Sequence, residues 1–143
     1  MGKLREECGV FGIYAPEKCD VASTVYYGLY ALQHRGQESC GIVVNDDGVF
    51  NCVKDSGLVN DVFTKHRLAS LGEGKIAKND ALNAQPIVVS HVKGHMALCF
   101  NGSLVNSAET RERLELEGSI FQTTSDAEII SNIIIRERLN SAS

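Results

Sequence analysis

Apolar residues alternate in some stretches of this chain and recur every three or four positions in others, and the changes of period divide it into elements. "CGVFGIY" alternates, with Val10 and Gly12 facing one way and Phe11 and Ile13 the other, which predicts a short strand; "APEKCD" then reads as a loop. From Val21 the period lengthens: Val21, Val25, Leu29 and Leu32 predict a helix ending near Gly36. "SCGIVV" and "VFNCVK" flank "NDDG", a hairpin signal, because Asp47-Gly48 tolerates the positive φ a tight turn needs. Leu58 to Leu71 reads as a weaker helix. "QPIVVS", "HVKG" and "HMALCF" predict a second hairpin, with Met96, Leu98 and Phe100 on one face. An amphipathic helix follows over roughly Ser107 to Glu117, stopped by Gly118. The last helix starts at Ser125, where "SDAE" sets Glu128 as the reciprocal partner of a capping box; Ile129, Ile130, Ile133 and Ile134 are its expected apolar face.

The resulting order is strand, helix, hairpin, helix, hairpin, helix, helix. Hairpins require antiparallel pairing, and helices with apolar stripes must cover a sheet. No repeat, low-complexity tract or linker interrupts the chain. It stops in "RERLNSAS", just after a strong helix, which suggests one part of a longer protein.

At 143 residues the chain has the length of one domain with a real core. A net charge of -4 offers no basic footprint for nucleic acid or anionic membrane. No apolar run approaches the ~20 residues that span a bilayer, and no apolar segment follows Lys3 and Arg5 as a signal peptide requires. The 5 cysteines, Cys8, Cys19, Cys40, Cys52 and Cys99, are odd in number and form no C-x-x-C pair. Disulfides and a zinc site are thereby disfavoured, and a reducing, cytoplasmic setting is expected.

Several residues could carry chemistry, each with a plain structural alternative. Cys8 is either a small buried hydrophobe in the first strand or a masked nucleophile. A thiol with a pKa of about 8.5 needs a base, and cleavage after Glu7 would create one: an α-amine with a pKa of about 7.7–8.0 beside the sulfur. In "LQHRGQES", His34 and Arg35 before Gly36 suit a helix C-terminus, although a guanidinium beside Gly also suits a carboxylated ligand. In "FNGSLVN", Asn101 and Gly102 are either a simple turn or two converging donors for an oxyanion. Asp126 opens the last helix, where an acid is favoured by the dipole and could equally hold an ammonium group. His66, His91 and His95 lack metal-ligand spacing and read as surface or turn residues.

Taken together, "ECGVFGIY", "YYGLYALQHRGQESCGI", "NAQPIV", "NGSLVN" and "TSDAEII" stand in the order found in class II glutamine amidotransferases. The chain resembles these N-terminal-nucleophile hydrolases over essentially its whole length. The "ALQHRGQESCGI" run favours the amidophosphoribosyltransferase branch over the glucosamine-6-phosphate synthase and asparagine synthetase branches. The resemblance implies an α+β fold, a four-layer α-β-β-α sandwich of two antiparallel sheets. It implies a propeptide-like leader at 1–7 and a glutaminase domain at 8–143, with the phosphoribosyltransferase domain absent.

By the same resemblance, Cys8 would attack the carboxamide of glutamine, its freed α-amine relaying the proton to departing ammonia. Asn101 and Gly102 would stabilise the oxyanion, Asp126 would bind the substrate α-ammonium, and Arg35 with Gly36 would line the pocket. A glutamate thioester would form and be hydrolysed. The ammonia would feed phosphoribosylamine formation from phosphoribosyl pyrophosphate in purine biosynthesis, on a phosphoribosyltransferase domain, in a homo-oligomer when full length. No cofactor is implied in this domain. Magnesium and, in some relatives, an iron–sulfur cluster belong to the remainder of the full-length enzyme, and no metal site is expected among the cysteines here.

Two departures qualify the expectation. The family usually has a strand and turn with Arg-Tyr-Ser-Thr between the positions of "EGKIA" and "NAQPIV", its Arg binding the glutamine α-carboxylate; here only "KNDAL" fills the space. Phe100 stands where His usually precedes Asn-Gly, and Ser103 replaces a second Asn. Loss of a charge-assisted contact weakens binding by orders of magnitude. A relative that keeps the fold as a binding or assembly domain without turning over glutamine is therefore the alternative. The short segment also predicts a core strand removed, or neighbours closing the gap.

Overall fold

The side chain of Asp20 accepts the Ser23 N–H at 3.0 Å and caps helix α1, Val21–Leu32. Its Val21, Val25 and Leu29 are at most 1% exposed, so the predicted apolar stripe is the buried one. A 3-10 turn, Gln33–Arg35, follows, and His34 Nδ1–H donates to Ala31 O at 2.9 Å, satisfying a carbonyl at the helix end. The computed structural model describes the backbone at residues 9–35, 38–80 and 85–141, and their side chains except at 35 and 75–80.

Helix α1 lies on an antiparallel sheet of β1 (Val10–Cys19), β2 (Ser39–Asp46), β3 (Val49–Ser56) and β4 (Gly74–Asp80), ordered β1-β4-β2-β3. Cys40, Ile42 and Val44 of β2 join the α1 stripe in one core. The intervening Ser39, Gly41 and Val43 are buried too, so β2 is covered on both faces, as a middle layer must be. The β2–β3 hairpin closes where predicted: Asp46 pairs with Val49, and Asp47 and Gly48 have φ of 47° and 95°. Both values are positive, as a type I′ turn demands.

Three expectations are corrected here. Strand β1 does not stop at Tyr14: it continues through "APEKC", with the register shifting between Tyr14 and Cys19. Pro16 is tolerated because β1 is an edge strand, where a missing N–H breaks no ladder. The weak helix over Leu58 to Leu71 is two helices, α2 (Val59–Val62) and α3 (Lys65–Ser70), because Thr64 caps α3 by accepting the Arg67 N–H at 3.3 Å. Of the two outcomes expected for the short segment after "EGKIA", the removed strand is not the one seen among the described residues: "GKIAKND" forms β4 between β1 and β2, with Ile13 opposite Ala77 and Val44 opposite that same Ala77.

The second hairpin, β5 (Ile87–His91) with β6 (Gly94–Leu98), pairs antiparallel as a separate sheet, Ile87 opposite Leu98. Met96 and Leu98 share a face of β6, but Phe100 lies beyond the strand. The chain divides into two compact units between Asn101 and Gly102. In the second, α4 (Ser107–Leu116) packs against α5 (Asp126–Asn140). Ala127, Ile129 and Ser131 of α5 are at most 1% exposed whereas Ile134 is 39% exposed, so the buried stripe is offset from the predicted four-isoleucine face. Glu117 and Arg136 form an ion pair between the end of α4 and α5.

Candidate functional site

The predicted donors sit at the end of the second hairpin. Leaving β6, the chain reaches Phe100, whose two backbone groups are both taken by the side chain of Gln85. Phe100 N–H donates to Gln85 Oε1 at 2.8 Å, and Gln85 Nε2 donates to Phe100 O at 3.2 Å. Gln85 is buried, just before β5. Its neighbour Pro86 receives a hydrogen bond from Lys54 Nζ at its carbonyl, at 3.2 Å. Asn101, the next residue after Phe100, is exposed and closes the first unit; Gly102, also exposed, opens the second.

Within the second unit, Asp126 is the first residue of α5, half-buried, and its Oδ2 accepts the Leu104 N–H at 2.7 Å. That bond fastens the segment after Gly102 to the positive end of α5, where a carboxylate is favoured. Among the described residues, Oδ2 is the oxygen of this carboxylate that accepts a hydrogen bond.

The cap of α5 is built differently from the predicted box. Ser125 Oγ accepts the Ala127 N–H at 3.2 Å, as a cap should, but Glu128 does not reach back to Ser125. Its carboxylate takes the Gln122 N–H at 2.8 Å and the Thr123 N–H and Oγ–H, both at 2.7 Å, while Ser125 N–H donates to Thr123 Oγ1 at 3.2 Å. Burial alone would raise the Glu128 pKa, but these hydrogen bonds and nearby Arg111 prevail and hold it below the usual glutamate value. Arg111 also lies over the Phe121 ring, 4.2 Å from its centroid. The loop before Asp126 is thus fixed by Glu128, in the same first turn of α5.

Arg35 ends the 3-10 turn after α1. Cys8 and Gly36 lie outside the described residues. The structure therefore links Asp126 to the 102–104 segment, and the sequence itself joins Asn101 to Gly102. Sequence reading missed Gln85, which looked like the polar start of a strand. Its only signal is a lone polar side chain entering an otherwise apolar element. Among the described residues no group of three or more His, Cys, Asp or Glu is placed to hold a metal ion, and no helix is long and apolar enough to cross a membrane. A cavity of about 660 Å³ beside β3 and α3, lined by Cys52, Lys54, His66 and Arg67 among others, is not lined by Asn101, Gly102 or Asp126.

Against known proteins, residues 7–138 match the family model described as a glutamine amidotransferase domain. The chain is 42% identical over 144 residues to the amidophosphoribosyltransferase of Methanocaldococcus jannaschii, covering 94% of this chain and 31% of that one. With the human enzyme of the same name it is 41% identical over 148 residues, covering 92% of this chain and 29% of the other. A solved structure of the Bacillus subtilis glutamine phosphoribosylpyrophosphate amidotransferase, complexed with ADP and GMP, superposes with a TM-score of 0.80 at 40% identity, over 89% of this chain and 29% of that one. This chain spans about three-tenths of the length of these relatives. The likeness, with the two antiparallel sheets and their helices, bears out the α+β N-terminal-nucleophile fold expected from the sequence.

Proposed function

The chain belongs to the glutamine amidotransferase domain family, and from that premise we propose that it hydrolyses glutamine to glutamate and ammonia, using Cys8 as nucleophile. One observation carries the reading: the family match extends from 7 to 138, a span that includes every residue of the proposed site. Removal of residues 1–7 frees the α-amine of Cys8, which accepts the thiol proton and passes it to the leaving ammonia. The thiolate adds to the carboxamide carbon, and the resulting oxyanion is met by the Asn101 side-chain amide and the Gly102 N–H. Collapse expels ammonia and leaves a glutamate thioester, which water hydrolyses to regenerate the thiol. Asp126 holds the substrate α-ammonium, and Arg35 with Gly36 borders the pocket. In a longer protein the ammonia would pass to a phosphoribosyltransferase domain making phosphoribosylamine from phosphoribosyl pyrophosphate, a reading supported by relatives named amidophosphoribosyltransferase.

A second reading, a domain that keeps the fold without turnover, is favoured by Phe100 before Asn101 and by the lack of Arg from β4 to Gln85. The two separate on one experiment, the intact mass and ammonia release of the purified chain treated with a glutamine-like diazoketone. Loss of the "MGKLREE" mass with one adduct at Cys8, and ammonia formation from glutamine before treatment, supports the glutaminase. An unprocessed mass, no adduct and no ammonia leaves the silent domain.

A further inference from the structure

We propose that Gln85 is a positioning residue that holds the oxyanion donor Asn101 in place; this rests on the glutaminase reading above. The Phe100 carbonyl belongs to the same planar peptide unit as the nitrogen and Cα of Asn101. Fixing that oxygen therefore fixes the base from which the Asn101 side chain projects. A single hydrogen bond would leave the peptide free to swing about it. Gln85 makes two, accepting from Phe100 N–H at 2.8 Å and donating to Phe100 O at 3.2 Å, so position and orientation are both held.

Gln85 can do this because it is itself anchored. It is 4% exposed, and its backbone lies against β2 at Gly41, where a Cβ would come within 2.1 Å of Gln85 O and 2.9 Å of Pro86 Cδ. Lys54 of β3 binds the next carbonyl, Pro86 O. The rigid four-stranded sheet is thereby connected through one buried amide to the exposed residue that follows the second hairpin. An oxyanion donor acts only if it is already in place when charge develops, and a displacement of about 1 Å can cost on the order of 100-fold in rate.

The test is steady-state glutamine hydrolysis by the full chain carrying Gln85→Ala or Gln85→Glu. Gln85→Ala is expected to lower kcat by roughly 10- to 100-fold with KM changed less than about threefold, since the donor is used in the transition state. In Gln85→Glu, an ionised carboxylate accepts from Phe100 N–H but opposes Phe100 O, whereas a protonated carboxyl restores both bonds. Burial raises a carboxyl pKa, so the kcat of this variant relative to the parent should rise at least about fivefold as pH falls from 8 to 5.5. A pH-independent ratio, or a KM increase with kcat unchanged, overturns the proposal; should Gln85→Ala not fold, the Gln85→Glu ratio decides. If the parent releases no ammonia, the glutaminase reading fails by itself. Gln85 is then judged by amide hydrogen exchange at Phe100: faster exchange in Gln85→Ala with β2 amides unchanged supports the anchoring, and unchanged exchange overturns it.

Discussion

Asp126 and Leu104 are joined by a 2.7 Å hydrogen bond in which the Leu104 N–H donates to Oδ2. One carboxylate thus has two possible duties, anchoring the segment after Gly102 and, as proposed, receiving a substrate ammonium. Asp126→Asn separates them, because its amide oxygen keeps an acceptor for Leu104 while the charge is lost. A hydrogen bond to a charged group contributes about 1.5–3 kcal/mol. Asp126→Asn should therefore raise KM for glutamine on the order of 10- to 100-fold with little change in melting temperature. Asp126→Ala should lower the melting temperature as well. Equal KM values for Asp126→Asn and the parent would remove Asp126 from substrate binding.

Glu128 gives the second unit an acid-sensitive clasp. Its pKa is held below the ordinary glutamate value by Gln122 and Thr123 against the cost of burial. The folded state thus favours the ionised form more than the unfolded state does. The resulting stability is present above about pH 4.3 and lost as pH falls through the lower folded value. Urea midpoints measured from pH 7 to pH 3 should fall steeply in the parent and less steeply in Glu128→Gln, which begins less stable by about 1.5–3 kcal/mol. Parallel slopes would mean that Glu128 has no part in the acid limb.

Glu128 also marks what a spacing pattern can and cannot reveal. "SDAE" correctly placed Ser125 as the cap, because that depends on local backbone geometry. It did not reveal where the carboxylate points, since that depends on the path of the loop at Gln122 and Thr123, which presents three donors instead of one. The hairpins and α1 were legible because Asp47-Gly48 and the Val21, Val25, Leu29 spacing are local signals. The end of β1 was not, because Pro16 is compatible with a strand only at an edge, and edge status is a property of the assembled sheet. The break at Thr64 was legible in principle from a hydroxyl residue before "KHR". Of the proposed site, Asn101, Gly102 and Asp126 were readable as a motif, while Gln85 acquires meaning only when Phe100 is beside it.

The Cys40 thiol is buried in the core and donates to Gly57 O at 3.6 Å, and burial pushes its pKa up to about 11, with Asp55 adding to the rise. It should stay unmodified by iodoacetamide at pH 8.5 in the folded protein, where exposed Cys19 reacts, and become reactive in urea; peptide mass mapping reads both. Unfolded Cys40 ionises near pH 8.5 while the folded thiol stays neutral. Its contribution is therefore complete below that pH and lost as pH rises toward about 11. Rapid labelling of Cys40 under native conditions would show that the β2–α1 core opens more readily than its burial implies.

Gly41 is glycine for reasons of space. It lies in β2, and an added Cβ would sit 2.1 Å from Gln85 O, 2.7 Å from Lys54 Cβ and 2.9 Å from Pro86 Cδ. The nearest of these is backbone, so no rotamer change relieves the contact and either β2 or the Gln85 corner must move. Overpacking of this kind costs about 1–3 kcal/mol or more. Gly48, at φ 95° in open space, provides the contrast: Gly48→Ala meets no neighbour but forces a left-handed residue, at about 1–2 kcal/mol. Gly41→Ala and Gly48→Ala should thus lower the urea midpoint by comparable amounts for unrelated reasons. Only Gly41→Ala should also speed amide exchange at Phe100, because only there does the displaced backbone carry the side chain that binds Phe100. Exchange at Phe100 unaltered in a folded Gly41→Ala would mean that the corner yields without disturbing Gln85, and that β2 does not support it.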